Sequence, residues 1–130
     1  PLRRQRQMCI RDRACRIQAA GAGLGAVFTP TAYGTKIAEG KETRTINGKN
    51  YVLEYPLHAD FAFIYADKAD RWGNLIYRKA ARNFGPIMAK AATTTIVQVN
   101  DVVELGSLDP ECIITPGIFV QHVVKVGDIK

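Results

Sequence analysis

Two runs of strand length place apolar residues next to one another with little interruption. DFAFIYA, residues 60–66, is one, and TTTIVQV, residues 93–99, is its β-branched counterpart. A run apolar on both faces suits a strand covered on both sides by helices, as in a parallel sheet. Between the two, RNFGPIMAKAA at 82–92 changes period. Ile87, Met88, Ala91 and Ala92 recur at helical spacing, and Pro86 suits the first turn of a helix. Strand, helix and strand in that order make a βαβ unit, with parallel strands and a right-handed crossover.

A second pattern fills 43–55, where the β-rich arms 43–46 and 51–54 flank Asn47-Gly48. That dipeptide supplies the positive φ angles of a tight hairpin turn. Residues 17–22 read as the last turns of a helix stopped by Gly21 and Gly23. AVFT at 26–29 reads as a short buried strand that opens at Pro30 into a loop. SLDPEC at 107–112 reads as a turn or a short 3₁₀ segment, and IFVQHVVKV at 118–126 as a closing strand or a short helix. The expected class is α/β: a partial, open, mostly parallel sheet with covering helices and one β-hairpin. At 130 residues the chain suffices for one domain.

Charge changes the picture at one end only. The formal net charge is +6. Residues 1–16 hold six arginines against one aspartate, and the remaining chain holds twelve Lys and Arg against eleven Asp and Glu. A nucleic-acid arm needs a basic face on the domain behind it, and this domain is nearly neutral, so no nucleic-acid partner is expected. A mitochondrial presequence should be rich in Ser, and residues 1–15 contain none. Met8-Cys9-Ile10-Arg11-Asp12-Arg13 resembles the translation of a transposase adapter. Residues 1–15 are therefore expected to be a non-native scar, disordered or weakly helical, with the native domain over 16–130. The three cysteines form no paired motif and suit a reducing, cytoplasmic setting. No apolar run approaches the length of a membrane span, and no membrane partner is expected.

Candidate chemistry is sparse. GAGLGA at 21–26 fits a dinucleotide fingerprint letter by letter, but a helix precedes it and a strand follows, the reverse of what a pyrophosphate site needs. Two readings remain for it: a flexible turn, or a glycine wall that lets a ligand approach the backbone. FTPTAYGT at 28–35 gathers hydroxyls around Pro30. It suits carboxylate binding at a strand end, or a loop whose hydroxyls satisfy its own backbone. ADRWGNLIYRKAARNF at 69–84 mixes basic and aromatic residues and reads as a structural turn with ion pairs. His58 and His122 have no ligand-spaced partners, so no metal site is expected. Cys112 stands alone and reads as a small buried hydrophobe. No pair of carboxylates lies close within an apolar stretch of the domain, and no catalytic residue is assigned.

GAGLGAVFTPTAYGTKIAEGKE, ADKADRWGNLIYRKAARNFGPIMAKAA and ELGSLDPECIITPGIFVQHVVKV together resemble the C-terminal half of the A subunit of 3-oxoacid CoA-transferases, the succinyl-CoA:acetoacetate type. The likeness runs from about Arg16 to Val126. It implies a B-subunit partner, acyl-CoA and carboxylic acid substrates, and coenzyme A as a substrate moiety with no other cofactor. It implies ping-pong transfer through a glutamyl-CoA thioester, on a glutamate of the partner's Ser-Glu-Asn-Gly motif. That motif and the family's Gly-Gly-Phe-Gly signature are both absent here. Carried over residue by residue, the resemblance marks Gly21, Gly23, Phe28, Thr29, Pro30 and Thr31 as substrate-binding. The chain departs from the family at Leu24-Gly25, often Ile-Pro, and at Gly85, commonly Asn. The alternative function is a non-catalytic nucleotide- or ligand-binding α/β domain.

Overall fold

A computed structural model describes residues 2–126, with side chains from residue 10 onward. Pro1, residues 127–130 and the Cys9 thiol lie outside the described residues, as do the outer ends of the two ranges expected from sequence. The chain divides into two compact units, Pro1–Leu57 and His58–Lys130.

The first unit opens with helix α1, Leu2–Gly21. Helix therefore covers all of the described part of 1–15, where disorder or weak helix was expected. Arg, Gln, Leu, Met and Ala are good helix formers, and no Gly or Pro interrupts them before Gly21. A three-stranded antiparallel sheet follows, in the order β1 (Val27–Thr29), β3 (Lys49–Glu54), β2 (Thr43–Ile46). β2 and β3 form the expected hairpin, with Asn47 at φ 50° and Gly48 at φ 73° between them. Gly48→Ala should cost about 1 kcal/mol, the penalty of a Cβ in the left-handed region, read from the shift of a urea unfolding midpoint. β1 pairs with β3 antiparallel through Phe28 and Leu53. It thus belongs to the hairpin's sheet, not to the parallel one.

The second unit carries the βαβ core. β4 (Ala59–Asp70) and β6 (Ala92–Val103) pair in parallel over ten described positions, and β7 (His122–Lys125) extends the sheet in parallel beyond β6. The two-residue β5 (Leu75–Ile76) pairs antiparallel with Lys68 and Ala69 only. The closing stretch holds both expected forms, a 3₁₀ turn at Gly117–Phe119 and then β7. Residues Pro110–Cys112 form another 3₁₀ turn.

Helix α2, Ala81–Ala91, begins earlier than expected, which puts Pro86 at its sixth residue rather than in its first turn. The helix survives at the loss of one backbone N–H bond. It packs on Ala62, Ile64, Ala66, Val97 and Val99. The Thr95 hydroxyl donates to the Ala89 carbonyl at 3.0 Å and ties helix to sheet. A Cβ at Gly85 would come within 2.6 Å of Tyr77 Cε1, so the glycine lets α2 settle on that ring. The expectation of helices on both faces of β4 fails within this unit. Alternate residues Phe61, Phe63 and Tyr65 point away from α2 and are exposed, Phe63 at 71%.

Candidate functional site

α1 stops where glycine permits the chain to reverse. Gly23 takes φ 70° one step past the cap. Its N–H reaches the Ala20 carbonyl at 3.1 Å, and the Leu24 N–H reaches Ala19 at 2.9 Å. This paired closure satisfies two terminal carbonyls and needs the left-handed residue. A Cβ at Gly23 would meet nothing within 4 Å, so glycine is required there for its φ rather than for close approach.

The reversal lays β1 against α1 and leaves a cleft of about 350 Å³ between them. Cys15, Gln18 and Ala19 line it from the helix, Ala22 from the turn after it, Phe28 and Thr29 from the strand, and Pro30 from the loop that follows. Its size lies at the small end of ligand sites, and its walls are mostly apolar with a few polar atoms, as such sites usually are. Arg44 holds its guanidinium 4.8 Å from the centre of the Phe28 ring. Of the six residues marked from sequence, Phe28, Thr29 and Pro30 line the cleft, while Gly21, Gly23 and Thr31 are not in its lining. Gly21 is the last helical residue and Gly23 shapes the turn. The Thr29 hydroxyl donates to Thr31 Oγ1 at 2.9 Å and accepts the Thr31 N–H at 3.2 Å. The Thr35 hydroxyl donates to the Ala32 carbonyl at 2.7 Å. Much of the hydroxyl capacity of this loop is therefore spent on the loop itself.

Sequence reasoning missed the helix wall, because Cys15 fell in the segment read as a scar. It missed an acidic cluster for the same reason. Glu54, on β3 and 2% exposed, takes Lys41 Nζ at 2.5 Å and Arg16 Nε at 3.8 Å. Arg16 Nε also donates to the Tyr55 carbonyl at 2.8 Å. Asp12 is buried near this group, and its Oδ1 has no hydrogen-bond partner. Burial, and then the Glu54 charge, hold the Asp12 carboxyl above its usual pKa, against the pull of Lys41 and Arg16. The signal was the spacing of Asp12, Arg16, Ala19 and Ala20, one stripe along a helix.

Other expectations resolve locally. Cys112 is exposed, not buried. Its thiol lies 3.6 Å from Asp109 Oδ2, and the Asp109 charge raises its pKa, which disfavours a thiolate. At 69–84 the turn is held by hydrogen bonds rather than ion pairs: the Asp70 carboxylate accepts N–H groups from Trp72 and Asn74. Among the described residues no three His, Cys, Asp or Glu cluster as metal ligands, and no helix is long and apolar enough to cross a membrane.

An open α/β unit, together with a hairpin unit that carries an apolar helix-end cleft, defines the class. The profile of the coenzyme A transferase family matches residues 6–126, and the chain belongs to that family. It is 75% identical over 112 residues to the A subunit of 3-oxoadipate CoA-transferase from Pseudomonas putida, covering 86% of this chain and 48% of that protein. It is 55% identical over 109 residues to the A subunit of a probable succinyl-CoA:3-ketoacid coenzyme A transferase from Bacillus subtilis strain 168, covering 84% and 46%. Glutaconate coenzyme A-transferase of Acidaminococcus fermentans shares the fold, with a TM-score of 0.77 at 19% identity, over 88% of this chain and 43% of that one. The chain spans about half the length of the curated relatives it matches.

Proposed function

We propose that this chain is the C-terminal half of a CoA-transferase A subunit which, with its other half and a B subunit, moves CoA from succinyl-CoA to a 3-oxo acid. The observation that carries this is the 75% identity to a relative named for 3-oxoadipate. The drop to 55% against a relative named for 3-ketoacids favours a dicarboxylic 3-oxo acid over acetoacetate. In the reaction a B-subunit glutamate attacks the succinyl-CoA thioester and expels the CoA thiolate, giving a mixed anhydride. The thiolate then attacks the glutamyl carbonyl, which frees succinate and leaves a glutamyl-CoA thioester. The 3-oxo acid takes the CoA by the reverse of these steps, so one hard exchange becomes two easier ones.

The A-subunit half supplies no nucleophile in this scheme. Its part is to bind substrate along Phe28, Thr29 and Pro30, with Gly21, Gly23 and Thr31 holding the turn and loop in place.

The test is a chimera. Residues 16–126 replace the matching half of the P. putida A subunit, and the product is co-expressed with that enzyme's B subunit. CoA transfer from succinyl-CoA should persist, with 3-oxoadipate preferred over acetoacetate by at least about tenfold in kcat/KM, a difference of ~1.4 kcal/mol. Phe28→Ala in the chimera should raise KM by about tenfold, by the same relation, with kcat little changed. The 130-residue chain alone should transfer nothing. Tight CoA-ester binding without transfer in the chimera would favour the non-catalytic alternative.

A further inference from the structure

The cleft between α1 and β1 is neutral, whereas the acid proposed to enter it is not. None of its described lining residues carries a charge. A dicarboxylic 3-oxo acid reacts at one carboxyl and keeps the other ionised. The succinyl group does the same, with its far carboxylate free while the near carbonyl forms the thioester. In ping-pong transfer both acyl groups meet the same glutamate in turn. Each free carboxylate, drawn partly out of water, then needs a cation beside the lining.

Strand register places such a cation. Phe28 of β1 lies opposite Leu53 of β3, and Arg44 of β2 lies opposite Tyr51 of that strand. Residues 51 and 53 alternate onto one face of the sheet, so Phe28 and Arg44 share that face. The Arg44 side chain leans across it until its guanidinium stands 4.8 Å from the centre of the Phe28 ring. Phe28 is thus both a wall of the cleft and the support of the guanidinium. A ring holds the cation through its charge, which leaves N–H groups of the planar fork to take a carboxylate in two parallel bonds. One donor, on Nη2, goes to Glu42 Oε1 at 2.9 Å. Both side chains of that pair stay more than half in solvent, at 61% and 51%, so the bond is weak and an incoming carboxylate competes for it. Lys49 is another cation of this face, 5.9 Å from the centre of the Tyr51 ring, and that ring does not line the cleft.

We propose that Arg44 is a specificity-determining residue whose guanidinium, carried on the Phe28 ring, takes the free carboxylate of a dicarboxylic acyl group held in the cleft. The proposal rests on the reading of this chain as half of a transferase for such acids. Acetoacetate has no second carboxylate and gains nothing from Arg44.

The test protein is the chimera with its B subunit. In ping-pong kinetics kcat/KM of the acceptor reports the second half-reaction alone, so a change in succinyl-CoA binding does not disturb it. Arg44→Met should lower the ratio of kcat/KM for 3-oxoadipate to that for acetoacetate at least about tenfold, chiefly through the KM for 3-oxoadipate. Arg44→Lys should recover part of the ratio, because it keeps the charge and loses the fork. Lys49→Met removes the same charge from the neighbouring ring and should move the ratio by less than about twofold. A further arm needs no turnover. Calorimetric titration with adipate, the dicarboxylate without the 3-oxo group, should give a Kd at least about tenfold weaker in Arg44→Met than in the parent chimera. An unchanged ratio, or an equal fall for both acids, would overturn the proposal. So would an equal effect of Lys49→Met, which would make the general charge of the face the cause. A 3-oxoadipate preference that survives Arg44→Met sinks this inference alone. A parent chimera that prefers acetoacetate sinks the functional reading, and the adipate titration then decides this inference by itself.

Discussion

Gly117→Ala is expected to destabilise the chain by roughly 3 kcal/mol, at the top of the range for forced overpacking. For a chain of this size that is a fall of about 10 °C in melting temperature. The added Cβ would collide with the Trp72 carbonyl, coming within 2.9 Å of its carbon. Neither side can yield cheaply. The Gly117 N–H is held by Asn74 Oδ1 at 2.9 Å, and the Asn74 side chain is itself held by Asp70 Oδ2 at 2.7 Å. Asp70 also fixes the turn, taking the backbone N–H groups of Trp72 and Asn74 on its other oxygen, while Gly73 supplies φ 84°. Gly106→Ala is the control. It too has a positive φ, 82°, but open space around its Cβ. It should cost only the conformational penalty of about 1 kcal/mol. Equal melting temperatures for the two variants would show that the packing of residue 117 on the turn is not what holds it.

That turn marks where sequence reading stops. Gly73-Asn74 is legible as a turn because glycine and asparagine are local punctuation. Its partner, Gly117, lies 43 residues away from Asn74, and no local rule connects them. The same division runs through the whole chain. The hairpin at Asn47-Gly48 and the βαβ unit over 60–99 follow from local periods and turn chemistry. The sheet that Val27–Thr29 would join does not, because a three-residue apolar run has too little pattern to choose between β3 and a parallel neighbour. The one-sided covering of β4 was hidden for another reason. An apolar face reads the same whether a helix of this chain or another segment lies on it. Of the cleft lining, Phe28 to Pro30 lie in a motif legible in the sequence, whereas Cys15 and Gln18 belong to a helix whose start was set aside with the arginine-rich segment.

The acidic cluster of the first unit gives the other large expected effect. Lys41→Met should cost about 2 kcal/mol at pH 7, below the 3–5 kcal/mol typical of breaking a fully buried pair, because Lys41 keeps a third of its side chain in solvent. Its loss would leave the buried Glu54 with only the longer Arg16 contact, near a second buried carboxyl. Asp12→Ala should act the other way and gain about 1 kcal/mol at pH 7, since it removes a buried oxygen that has no partner. The pH dependence separates charge from helix propensity. The folded-state pKa of Asp12 is raised above 3.8, so between that value and its folded pKa the native state holds more proton than the unfolded chain. Stability therefore falls as pH rises through that window, and the penalty is full above it. The gain from Asp12→Ala should be largest at neutral pH and shrink as the pH drops towards 3.8, while any gain from alanine's helix propensity stays constant. In the double variant the cost of Lys41→Met should fall well below its value in the parent chain, because only one buried acid then remains to be neutralised. Urea unfolding of the four proteins at neutral and acidic pH measures all of this. Additive effects, or a gain that does not change with pH, would show that Asp12 and Lys41 do not share one electrostatic site.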